Sequence, residues 1–181
     1  MIIETERLKL RPFKTEDAKD LFEYLKEPLV HCFASMKINT IEEAEKEILN
    51  RIKEECIYFA VELKSEKKVI GEIWVNPESD EEINKDTVFS PCWMLNKAYH
   101  GKGYAYESVY AIFDYLFKER NARRIYIYTE DYNIPCQKLC KKLGMRQEAL
   151  YKEFISFIND REGSPIYENT YEFAILKKEW K

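Results

Sequence analysis

Two rhythms of apolar and polar positions run through the chain, and together they outline its elements. Steps of three and four residues mark helices. Ala105, Val109, Ile112, Phe113 and Leu116 form one apolar stripe, predicting a helix that ends near Glu119 and Arg120. Ile41, Ala44, Ile48 and Ile52 form another, opened by Thr40. An earlier helix is expected from Thr15 to about Leu25, with Thr15 as cap, Glu16 and Asp17 in the first turn, and Pro28 beyond its end. Between these two lies an apolar connection, Pro28 to Phe33, suited to walling a cavity. Strand-like runs cover Leu8 to Pro12, Cys56 to Leu63, Lys68 to Val75, Thr87 to Leu95 and Ile125 to Thr129. The second and third form a hairpin about the polar turn Lys64 to Lys67. Ile125 to Thr129 alternates little, as in a strand covered on both faces. Asn133, Ile134 and Pro135 introduce a further helix, Cys136 to Leu143, stopped by Gly144. Met145 to Phe157 and Ile166 to Leu176 read as a closing antiparallel hairpin about the turn 159–165.

The order strand, loop, helix, strand between residues 87 and 129 is a βαβ unit inside an otherwise antiparallel pattern. The fold class is therefore α/β, of the α+β kind with a mixed sheet. The polar stretch 76–86 is a loop, and nothing rich in Pro, Gly or Ser divides the chain, so residues 1–181 are expected to form one domain. Pro91 cannot donate a ladder hydrogen bond, which predicts a bulge or opening of the sheet there and free N–H groups for a carbonyl or oxyanion.

Net charge excludes some partners. At −4 the chain is a poor candidate for nonspecific binding to nucleic acid or to a membrane surface, and it tolerates cationic substrates such as amines. Acidic residues near the start, Glu4 and Glu6, do not resemble a signal peptide, and no apolar run reaches membrane-spanning length; the expected location is the cytoplasm. Five scattered cysteines (Cys32, Cys56, Cys92, Cys136 and Cys140) include no Cys-x-x-Cys pair, so they read as reduced thiols, with no metal site expected. Cys136 and Cys140 lie one helical turn apart.

The chemistry concentrates between Met94 and Ser108. Here an apolar run ends, Gly101 and Gly103 bracket Lys102, and a helix begins at once. The first N–H groups of a helix have no intrahelical partner and point one way, along the dipole, so they receive phosphate oxygens. A tight strand-to-helix turn accounts for the glycines equally well. A P-loop is excluded because Tyr104 and Ala105 follow Gly103, and the dinucleotide fingerprint because residue 106 is Tyr. Glu72 is a carboxylate within an apolar strand: a general base if it faces a cleft, a solvent-facing residue if strand alternation alone places it. His31 reads as a packing residue, since no carboxylate lies near it in sequence to orient it.

Two segments together resemble the GNAT superfamily of acyl-CoA-dependent N-acyltransferases. His100-Gly101-Lys102-Gly103-Tyr104-Ala105 is similar to that family's Gln/Arg-x-x-Gly-x-Gly/Ala pyrophosphate loop, with His100 in the place of Gln or Arg. Asn133-Ile134-Pro135-Cys136, followed by Lys142-Leu143-Gly144-Met145, is similar to the Asn-x-x-Ser and Lys-x-Gly-Phe pieces of the next βα unit. Residues 5–12 and 171–180 resemble the branch that acetylates ribosomal-protein N-termini, at alanine or serine, and small amines.

The resemblance implies a mixed sheet splayed near its middle, flanked by helices, with acetyl-CoA as co-substrate in the gap. Its pantetheine would run along Met94, Leu95 and Asn96; its diphosphate would sit at His100, Gly101, Lys102, Gly103, Tyr104, Ala105 and Tyr106; Asn133 would contact its arm. The implied reaction is direct attack on the thioester, in a ternary complex, by a primary amine: a protein N-terminus, a polyamine or another small amine. The family often protonates the leaving thiolate with a Tyr seven residues beyond the Asn, where this chain has Cys140, or in this branch with a Ser three beyond, where it has Cys136. A thiol with a pKa near ~8.5 is matched to a leaving thiolate of similar basicity, so Cys136 is the candidate acid and Glu72 a candidate base, beside Tyr132 through water or bulk solvent. Ser90-Pro91-Cys92-Trp93 stands where the branch often has Glu-x-Gly-Tyr. An acyl-CoA-binding sensor with weak turnover is the alternative, and ATP binding at the glycine loop a third reading. Trp93, Phe154 and Phe157 are candidates for a homodimer patch.

Overall fold

The computed structural model describes residues 1–53, 57–78 and 87–181; Cys56 and the part of the expected polar loop from 79 to 86 lie outside them. Eight strands form one sheet: β1 (Ile3–Glu4), β2 (Leu8–Arg11), β3 (Ile57–Leu63), β4 (Lys68–Glu78), β5 (Val88–Leu95), β6 (Arg124–Glu130), β7 (Arg146–Asn159) and β8 (Pro165–Leu176). Four helices accompany them: α1 (Ala18–Leu25), α2 (Ile41–Lys53), α3 (Tyr104–Lys118) and α4 (Ile134–Lys142). Among the described residues no helix is long and apolar enough to cross a membrane.

The strand order is β1-β2-β3-β4-β5-β6-β8-β7. Strands β1 to β5 are antiparallel, as are β6, β8 and β7, and the two halves meet at a parallel seam. That seam is short. β5 and β6 pair only at Val88 with Arg124 and Phe89 with Ile125, whereas β5 continues to pair with β4 up to Leu95. The ladder to β6 thus stops before Pro91, and the sheet opens as its missing N–H predicts. β5 and β6 are joined through α3, which makes the expected βαβ unit.

Each face of the first half has its own core. The α3 side chains Val109, Ile112, Phe113, Leu116 and Phe117 are buried with Leu8, Leu10, Phe59 and Val61. On the other face Leu21 and Leu25 of α1 and Ala44 and Ile48 of α2 are buried with Ala60, Val69 and Met94. The two helices deviate from the sequence pattern at one point each. Thr15 does not cap α1; it lies in a 3-10 turn (Thr15–Asp17), and the Lys14 N–H donates to Asp17 instead. Ile52 is 48% exposed while Arg51 is buried, because an acid on β4 draws the guanidinium inward. In β6 Ile125, Ile127 and Thr129 are buried and Tyr128 faces outward near Tyr151 and Phe154, but Glu130 at the strand's end is buried as well. The long C-terminal hairpin β7–β8 forms as expected, with β8 inserted between β6 and β7.

Candidate active site

Opening the sheet between β5 and β6 leaves two neighbouring cavities. One, of about 500 Å³, lies against the end of β5, the glycine loop and α4. Met94, Leu95, His100, Gly101 and the run Gly103 to Tyr106 line it, so eight expected cofactor contacts come together. Beyond Phe89, β5 has no ladder to β6, which leaves an edge onto which an extended, amide-bearing arm can add as a strand does.

Gly101 and Gly103 have φ of 74° and 85°, a region that disfavours residues with a Cβ. Gly103 is the N-cap of α3 and offers no side chain to cap it, so the first-turn N–H groups are left for an external acceptor. The ring Nε2–H of His100 donates to the Leu95 carbonyl at 2.9 Å, pinning the loop to the end of the strand. On the outer side Arg7 donates to the Lys102 carbonyl and to Glu107 of α3. The cradle fits a diphosphate.

Three expected contacts serve the scaffold rather than the cleft wall. Asn96 is buried, its Oδ1 accepting from the Ala98 N–H and its Nδ2 donating to Glu23. The Lys102 ammonium lies over the Tyr99 ring at 5.1 Å. Asn133 caps α4, accepting from the Cys136 N–H at 3.3 Å. Two cations of α4 also line the cleft: Lys138, which the sequence motifs do not mark, and Lys142 of the Lys-x-Gly motif, 4.2 Å from the centroid of Tyr106. Their spacing of four residues on one helix was the available signal.

The second cavity, about 350 Å³, sits where β5 and β6 diverge. Its walls come from a 3-10 turn (His31–Met36), from β4 to β6 and from the hairpin: Phe33, Met36, Trp74, Trp93, Ile127 and Phe154 among them. The apolar connection after α1 does wall a cavity. Trp93, Phe154 and Phe157 line this cavity, a use distinct from the dimer patch expected of them. His31 is not alone: its Nδ1 meets the Glu168 carboxylate of β8, and its backbone N–H donates to the Tyr132 hydroxyl at 3.1 Å. The carboxylate absent from its sequence neighbourhood arrives from 137 residues away.

Phe33, Trp93 and Cys136 border both cavities. Donation from the Cys140 thiol, one turn along α4, pulls the Cys136 pKa down against burial. Cys140 is pushed up, by that donation and by burial. Burial pushes the Cys92 thiol up to about 12.

Glu72 corrects both sequence readings. It is fully buried, neither in solvent nor in either cavity, and it faces α2, where Arg51 donates to it at 2.7 and 3.0 Å. Burial raises its pKa and Arg51 opposes the rise. Its lone pairs are committed to the guanidinium, so the chain does not offer Glu72 to a substrate as a base.

The comparisons with known proteins agree with this geometry. Residues 7–146 match the acetyltransferase (GNAT) domain. An uncharacterized N-acetyltransferase of Bacillus subtilis strain 168, YnaD, is 32% identical over 180 residues, covering 99% of each chain. A GNAT-family acetyltransferase structure from Bacillus anthracis superposes with a TM-score of 0.84 at 27% identity, over 99% of this chain and 100% of that one. The ribosomal-protein-S5-alanine acetyltransferase of Vibrio fischeri shares the fold, with a TM-score of 0.75 at 22% identity over 100% and 99%. With the splayed sheet, the glycine loop and the α4 motif all in place, the chain belongs to the GNAT family and is an N-acetyltransferase.

Proposed function

We propose that the larger cavity holds acetyl-CoA, the smaller one a primary amine, and that the acetyl group passes between them by direct attack, in the cytoplasm. The observation that carries this reading is the shared wall of Phe33, Trp93 and Cys136: a thioester carbonyl at that boundary is within reach of a nucleophile from the other side. The described cysteines are free thiols, which suits a reducing compartment. The chain's own groups divide the work. Residues 101–106 hold the diphosphate through backbone N–H groups, with Lys138 and Lys142 adding positive charge. The β5 edge orients the pantetheine arm. Cys136 gives its proton to the departing sulfur as the C–N bond forms and the C–S bond breaks, and regains one from the product nitrogen.

Thermal unfolding with acetyl-CoA, CoA, ATP and NADH checks the cofactor assignment. Acetyl-CoA and CoA raise the melting temperature, and ATP and NADH leave it unchanged. Stabilisation by neither thioester nor CoA would sink the reading. For the acid, Cys136→Ala lowers kcat by about 100-fold, the lower range for a general acid, with acetyl-CoA stabilisation retained. An unchanged kcat removes Cys136 from the chemistry.

A further inference from the structure

Four carboxylic acids are buried among the described residues: Asp17, Glu72, Glu130 and Glu168. Three meet a basic side chain of the protein, although one oxygen of Glu168 keeps no partner. Arg11 donates to both Asp17 oxygens at 2.7 and 2.8 Å, Arg51 to Glu72, and the His31 ring meets Glu168. Glu130 is 3% exposed, and among the described residues it has no cationic partner. The Cys32 thiol, its pKa pushed up by burial and by this carboxylate, lies beside it. An isolated buried carboxylate is costly and is retained where its counter-ion arrives from outside.

Glu130 stands at the end of β6, in the wall of the smaller cavity, beside Cys32 and Thr170. The Thr170 hydroxyl, also buried, has no hydrogen-bond partner. Otherwise the walls are mainly apolar. Glu130 is the one Asp or Glu in the lining, which also holds no Lys or Arg. A polyamine carries further ammonium groups, which here would lie against Ile127, Phe154 and Ile155 without a carboxylate. A peptide carries amides that this wall largely leaves unmatched.

Resting on the acetyltransferase reading, we propose that the acceptor is a small monoamine with an aromatic or branched apolar body, its ammonium paired to Glu130. Glu130 takes one proton from the ammonium, and the neutral nitrogen attacks the acetyl carbonyl. After C–S cleavage, Glu130 releases its proton to water, so one proton leaves per acetamide and thiol formed. Phe33, Trp74, Trp93 and Phe154 receive the apolar body and exclude water from the reacting nitrogen.

The experiment measures CoA release with 2-phenylethylamine, isopentylamine, spermidine and a peptide bearing an N-terminal serine. The two monoamines exceed spermidine and the peptide in kcat/KM by about 100-fold. Glu130→Gln lowers kcat/KM for 2-phenylethylamine by about 100-fold, Glu130→Asp recovers part of it, and acetyl-CoA stabilisation is unchanged in both. 2,2,2-Trifluoroethylamine, uncharged at the assay pH, loses much less in Glu130→Gln, an outcome a merely structural role does not produce. Phe154→Glu, at a half-exposed position that tolerates charge, shifts preference towards spermidine. Preference of the native chain for spermidine or the peptide overturns the proposal, as does an equal loss for charged and uncharged amines in Glu130→Gln. Acetyl-CoA stabilisation without turnover of any monoamine also overturns it while leaving the cofactor assignment intact; absence of that stabilisation overturns the acetyltransferase reading itself.

Discussion

Glu72 and Glu130 are both acids on strands of one sheet, both buried, and placed in opposite electrostatic circumstances. Beneath α2, Glu72 is closed off by Arg51, which lies over the Tyr58 ring at 5.3 Å and also meets Glu47. At the sheet opening, Glu130 has a wall of thiol, hydroxyl and aromatic groups and no guanidinium. The difference teaches that burial of a carboxylate says little about its use until its partner is known. An acid satisfied by the fold belongs to stability, and an acid left waiting belongs to a ligand.

The contrast can be broken most forcefully at Arg51. Arg51→Leu strands Glu72 as a buried charge and costs about 3–5 kcal/mol, read as a lowered urea midpoint. Replacing both partners, Arg51→Leu with Glu72→Met, recovers most or all of that loss, because an apolar pair of similar size needs no counter-charge. Failure of the double variant to recover would show that the ion pair is needed for more than neutralisation.

A third acid sharpens the comparison with pH. Burial raises the pKa of Glu107, but hydrogen bonds from the Thr5 hydroxyl and from the Arg7 backbone and guanidinium outweigh it and leave the value lowered. Its contribution is therefore complete above the unfolded value, near ~4.3, and is lost as pH falls through the folded one. Glu107→Gln costs about 1 kcal/mol at pH 7 and progressively less as the medium is acidified below ~4.3, by urea melts, so the acid limb of the stability curve flattens. The smallest stability effect belongs to Glu130→Gln, which breaks no ion pair and keeps an oxygen for the Cys32 thiol. Its melting temperature stays level or rises, equivalent to a change under about 0.5 kcal/mol. A loss comparable to that of Arg51→Leu would erase the distinction between the two acids.

How far the sequence reveals these sites depends on how they are assembled. The larger cavity draws most of its wall from residues 93–106, where strand end, glycines and helix start follow one another. Such a site is legible because its parts are contiguous and its glycines conspicuous. Asn96, Lys102 and Asn133 belong to the same motifs yet turn their side chains to capping and stacking, a choice made by neighbours distant in sequence. The smaller cavity is built from side chains on the 31–36 turn, three strands of the sheet's middle, α4 and the hairpin. Residue spacing cannot report that gathering. Glu130 sits one residue beyond the apolar run Ile125 to Thr129 that marked the strand, and His31 finds its carboxylate on β8. Fold class and element order were readable because they follow periodicity; Arg51 displaced Ile52 from the interior because charge pairing across 21 residues overrides periodicity.

The insertion of β8 between β6 and β7 sets a timetable for the nascent chain. β6 has its antiparallel neighbour only when residues 165–176 have left the ribosome, and Thr170 and Glu168 travel with that strand. The first five strands with α1 to α3 can collapse early through local pairings, so synthesis assembles the glycine-loop half first and completes the wall of the smaller cavity last.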